Sequence, residues 1–117
     1  MAETEIQPER KAQVYVIEQQ AFDYLPATTY GDLVFMEVKR LAPYAPSMPD
    51  AWNKDALRLV RRDLASYVPG YDYIIPTGAP ARMVVVGAVL REKGPRHRVL
   101  GWDARTQRYL EYVVDFG

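Results

Sequence analysis

The chain holds no cysteine, a single histidine and only two serines among its 117 residues. Without cysteine there is no disulfide, no thiolate nucleophile and no cysteine-held zinc or iron–sulfur site, a usage that suits the cytoplasm. One histidine cannot build a histidine-rich metal centre. Ser47 and Ser66 fall at the two ends of a predicted helix, and His97 lies between Arg96 and Arg98, whose charges disfavour its protonated form. That inventory leaves little from which to assemble a serine-histidine-aspartate or cysteine-histidine arrangement. His97 reads as a surface residue at the entry to a strand. No resident metal and no cofactor is expected.

Long apolar runs are missing too. The longest, residues 83–90, has eight members, against roughly 18 for a membrane span. Residues 1–11 are polar and acidic and lack the apolar stretch of a signal peptide, so no membrane partner is expected. Net charge is also absent, but the balance is uneven. Residues 1–37 carry seven acids and two bases, whereas residues 38–98 carry eleven bases and five acids. Such asymmetry marks either a face for nucleic acid or an acidic partner, or segments whose opposite charges meet on one surface. The second is favoured, because the strongly basic balance of a dedicated nucleic-acid binder is lacking.

What is present is an ordinary globular composition, 49% hydrophobic and 26% charged, of a length that makes one domain. Residues 1–11 read as a tail and residues 12–117 as a single α/β domain. β-Branched and aromatic residues predict strands over 12–19, 33–38, 71–76, 98–102 and 108–115. Between the first two lies a long loop, residues 20–30, of a length often tied to function. Apolar positions at Trp52, Ala56, Leu59, Val60, Leu64 and Tyr67 recur at helical spacing, so residues 51–67 form a helix capped by Ser47 or Asp50. Over residues 81–93 three successive valines favour strand. The early Pro80, the length and the Gly94-Pro95 stop favour helix, and helix prevails. The expected order is β-β-α-β-α-β-β: a small mixed sheet of about five strands with two helices. It contains one βαβ crossover over residues 71–102 and a C-terminal hairpin.

Three groups of residues carry candidate chemistry. Thr77, Gly78 and Ala79 lie between a strand and a helix, where free amides and the helix dipole receive anions, with Arg82 placed to assist. No full glycine-rich fingerprint and no Walker lysine accompany them. Glu37-Val38-Lys39 ends an apolar strand fourteen residues after Asp23, which resembles the metal-binding core of PD-(D/E)xK nucleases. That chemistry needs Asp23 and Glu37 to converge with Lys39 on the same strand face as Glu37. The alternative is a solvated strand end. Arg58, Arg61 and Arg62 line a helix face, either solvated or available to phosphate or an acidic protein. Nine tyrosines exceed the needs of a core, and Tyr24, Tyr30 and Tyr44 fall in loops, where tyrosine favours partner contact.

Several stretches in combination resemble a family of short proteins encoded by tailed phages. They are Tyr24-Leu25-Pro26-Ala27, Tyr30-Gly31-Asp32-Leu33-Val34-Phe35, Tyr71-Asp72-Tyr73-Ile74-Ile75-Pro76-Thr77-Gly78, Val99-Leu100-Gly101-Trp102-Asp103 and Arg108-Tyr109. The resemblance spans residues 12–115 and implies a phage accessory protein in the host cytoplasm. It brings no activity and no catalytic residues, and its second strand does not end in Glu-x-Lys. The leading expectation is a non-catalytic protein acting by stoichiometric binding to a host protein or a small anionic ligand. A metal-dependent nuclease using Asp23, Glu37 and Lys39 is one alternative, and a nucleic-acid binder using the arginine face is the less favoured other. Self-association stays open.

Overall fold

The structure, a computed structural model, describes residues 8–38 and 44–117. Strand β1 (Gln13–Val16) leads through a 3₁₀ helix (Leu25–Thr29) into β2 (Asp32–Phe35), and α1 (Pro49–Asp63) follows. Next come β3 (Tyr73–Ile75), α2 (Pro80–Lys93), β4 (Arg96–Asp103) and β5 (Arg108–Asp115). The five strands form one sheet in the order β2-β1-β3-β4-β5. Every neighbouring pair is parallel except the β4–β5 hairpin. The α/β class, the mixed sheet, the two helices, the crossover from β3 to β4 and the terminal hairpin all stand as the sequence predicts.

Strand alternation sorts the core into two layers. Tyr15, Ile17 and Ile74 face α1 and α2, where they pack with Ala56, Val60, Leu64, Val86 and Val89. Val14, Val16, Tyr73, Ile75 and Leu100 face the opposite way, against Tyr24, Ala27 and Tyr109. The β1-to-β2 connection therefore crosses one face of the sheet. The β2-to-β3 and β3-to-β4 connections step the other way across the opposite face. Opposite steps on opposite faces give all three crossovers the same hand, as parallel pairing demands.

Three local expectations are corrected. Residues 20–30 are not a plain loop: a short 3₁₀ helix with Pro26 in its first turn makes a parallel crossover there. Helix α1 starts after Met48, with Pro49 in its first turn and no side-chain cap, so neither Ser47 nor Asp50 caps it. His97 is not a surface residue; it is 1% exposed. Its Nε2 lies 2.8 Å from the Gly94 carbonyl, which can only accept, so Nε2 carries the proton. Nδ1 then accepts from the Tyr67 hydroxyl at 2.6 Å, and burial pushes the Tyr67 phenol well above its ordinary range. The flanking arginines do not follow His97 inward, because successive strand residues face opposite ways.

Candidate functional site

Connections leave the carboxyl ends of β1 and β3 in opposite directions, which creates a crevice between them, the position where open α/β sheets receive ligands. A cleft of about 600 Å³ opens at this edge on the 3₁₀-helix side. Ala21, Phe22 and Asp23 from the loop after β1 form one wall. Ile75, Pro76 and Thr77 from the end of β3 form the floor, and Leu100, Trp102 and Tyr109 of the hairpin close the far side. Trp102 meets Tyr109 edge to face at 5.1 Å. Phe22 and Trp102 remain exposed at the mouth. Among the described residues Asp23 is the one charged residue lining the cleft, and one of its oxygens accepts the Leu25 N–H at 3.0 Å, fixing the start of the 3₁₀ helix. Burial first, then the nearby Tyr24 and Asp23, pushes the Tyr109 phenol above its ordinary range.

On the far side of β3 the amino end of α2 already holds an anion, and the chain supplies it. Glu18 Oε1 accepts the Ala79 N–H at 3.2 Å and Arg82 Nη1 at 3.0 Å. The Thr77 hydroxyl donates to the Glu18 carbonyl at 2.7 Å. Desolvation alone would raise the Glu18 pKa, but the Ala79 N–H and Arg82, with Gln20, hold it below the ordinary glutamate value. Gly78 has φ of 121°, and a Cβ there would lie 2.4 Å from Glu18 Oε1. Thr77, Gly78, Ala79 and Arg82 are thus brought together, and a carboxylate of the chain occupies the place a phosphate would take.

The other predicted groups are dispersed or engaged. Arg61 binds Glu92 through two hydrogen bonds, Arg62 binds Glu37 at 2.9 Å, and Arg58 lies 3.9 Å from Asp55. The Glu37 carboxylate therefore meets α1 on the helical face while Asp23 lines the cleft on the other. Lys39 lies outside the described residues, and among those described no three acidic or histidine side chains gather as a metal site. Tyr24 is buried, its hydroxyl accepting the Gln20 N–H. Tyr30 is half-buried and donates to the Tyr109 carbonyl at 3.0 Å. Tyr44 is exposed and lies edge-on to Trp52.

Sequence reasoning missed Phe22, Trp102 and Tyr109 as cleft residues and Glu18 as the internal anion. Phe22 lay in view, an aromatic inside a long loop. Glu18 gave no local signal, because its partners are some sixty residues away.

Among the described residues no helix is long and apolar enough to cross a membrane. No curated protein and no solved structure matches the chain. A family model does, over residues 7–116, which covers every element of the sheet and the whole of the cleft. The chain belongs to the Phage Pam3 gp32-like protein family, and is thus a small phage accessory protein with an α/β fold.

Proposed function

We propose that the protein acts without catalysis, by stoichiometric binding in the cytoplasm of the host, and that its carboxyl-edge cleft receives an apolar or aromatic side chain of a host protein. The cleft itself carries this reading: about 600 Å³, at the crevice between β1 and β3, walled by Ile75, Leu100, Trp102 and Phe22. Its volume is in the range of sites that enclose a small ligand or an anchor side chain, and exposed aromatics at a rim mark binding surfaces. A small anionic ligand is the weaker occupant. Glu18 fills the place at the amino end of α2, and among the described residues the cleft offers an anion no cation, only Asp23.

The test is affinity capture from host lysate with wild-type protein beside Phe22→Ala and Trp102→Ala, followed by titration of the purified captured protein. One-to-one retention that both substitutions abolish, with an Arg61→Ala control unaffected, is the expected result. Retention that ignores both substitutions, or no retained protein at all, overturns the reading. A rise in melting temperature of the wild type with nucleotides or inorganic phosphate would instead point to the anionic ligand.

A further inference from the structure

Strand β5 closes the sheet order at one end, and it is eight residues long where the opposite edge, β2, has four. The hydrogen-bond directions along it follow from its register. Phe116 N–H donates to the Pro95 carbonyl at 2.7 Å, one step beyond the Arg96–Asp115 pair. Alternation then turns the backbone groups of residues 114, 112 and 110 toward β4, and those of Val113 and Glu111 outward to the free edge. At residue 109 the outward carbonyl is taken by the Tyr30 hydroxyl. Among the described residues the open edge thus runs from Glu111 toward Asp115.

Apolar side chains stand beside that edge, with Glu111 and Asp115 on the face opposite Tyr112. Tyr112 and Val113 are each 54% exposed and Phe116 is 40% exposed. Tyr112 lies over Gly101, where a Cβ would come within 2.9 Å of its ring. On the same face, Met83, Val86, Gly87 and Leu90 of α2 border an apolar groove floored by Val99 and Val114. A long, apolar, unpaired edge is a template for another strand.

We propose that a second copy of this chain occupies the edge, β5 pairing antiparallel with β5 about a two-fold axis through Tyr112. The register follows from symmetry. A two-fold axis normal to the sheet keeps each face on its own side, so only residues of equal parity can be opposed. Centring on Glu111 would set two glutamates against each other, and centring on Val113 would set Glu111 against the partner's Asp115. Centring on Tyr112 opposes Tyr112 to itself and Leu110 to Val114, all apolar on the helical face. Glu111 then exchanges backbone hydrogen bonds with the partner's Val113, the two residues whose N–H and C=O point outward. Each Glu111 carboxylate stays with Arg98 of its own chain, 2.8 Å away. The result is a continuous ten-stranded sheet, built on the backbone groups of Glu111 and Val113, which do not line the cleft, so the proposal does not rest on what the cleft binds.

Analytical ultracentrifugation over about 10 to 200 µM tests the assembly, since association follows mass action. Wild type should sediment as twice 13.4 kDa, and Tyr112→Lys and Val113→Pro as monomers with unchanged circular dichroism. Proline at 113 spares the hairpin, because that N–H points away from β4. The register has its own reporter in a chain without cysteine. Tyr112 opposes itself in a non-hydrogen-bonded pair, with Cα atoms about 4.5 Å apart, within the span of a disulfide. Oxidised Tyr112→Cys should run as a covalent dimer and Glu111→Cys as a monomer. A wild type that stays monomeric throughout overturns the proposal. So does a dimer that survives Tyr112→Lys, or crosslinking through position 111 in place of 112.

Discussion

Asp72 is fully buried and holds three segments at once. Its carboxylate accepts two hydrogen bonds from Arg10, at 2.8 and 2.7 Å, and the N–H groups of Gln13 and Val68, each at 2.8 Å. Every lone pair aimed at a donor is used, which is what a buried charge requires. Asp72→Asn keeps the shape but removes the charge and sets amide hydrogens against donors. We expect a loss of about 2–4 kcal/mol, measured as a lowered urea midpoint at constant slope. Tyr67→Phe leaves His97 Nδ1 buried without a donor and should cost about 1–2 kcal/mol in the same assay. Neither Asp72 nor His97 was legible as a buried group beforehand. Asp72 sits between two tyrosines just before β3, with its main partner 62 residues away, and the arginines around His97 hid the alternation that turns it inward. Trp102 was equally silent, since nothing local tells a cleft-lining tryptophan from a core one.

At the scale of elements, α2 was the sharpest test of sequence reasoning. Residues 84–86 are three valines, yet Pro80 in its first turn and Gly94 at its end bracket a helix, and the flanking signals prevailed over the β-branched run. The 3₁₀ helix escaped notice because five residues show no period and their backbone bonds close locally. Glu18 and the start of α2 form one unit, with two consequences. Gly78→Ala should cost about 2 kcal/mol or more by calorimetry, because φ of 121° strains any side chain and Glu18 fills the space. The Glu18 carboxyl has a folded pKa below the ordinary 4.5. It therefore contributes stability that is complete above that value and is lost as pH falls through the lowered one. A Glu18→Gln variant should show a shallower decline in melting temperature below about pH 4.5. Glu18→Ala would free the Ala79 N–H and Arg82, so inorganic phosphate or sulfate should stabilise that variant and leave the wild type unmoved.

For the whole molecule, the uneven charge of the sequence resolves into pairing between its parts. Glu18 and Glu37 from the acidic first third meet Arg82 and Arg62 of the basic middle. This is the pattern in which opposite charges share one surface, and it leaves the arginine face of α1 already matched. Topology was readable to the extent that elements were: strands around a crossover helix had to pair in parallel, whereas the order β2-β1-β3 depended on the unrecognised 3₁₀ crossover. Both core layers share the sheet, and Tyr30 ties the first crossover to the last strand. Unfolding should therefore be a single transition. Trp52→Phe leaves Trp102 as a hairpin reporter, and Trp102→Phe leaves Trp52 as a reporter of α1. Their fluorescence curves in urea should coincide with circular dichroism, and a separated hairpin transition would contradict it.

The hydroxyl of Tyr30 that hangs on the carbonyl of Tyr109 also imposes an order of events during translation. Phe22 and Asp23 leave the ribosome early, but the opposite wall of their cleft is encoded some eighty codons later. A nascent chain lacking the β4–β5 hairpin has no latch for the first crossover and no opposite wall for Phe22 to face, so the cleft is completed only late in synthesis.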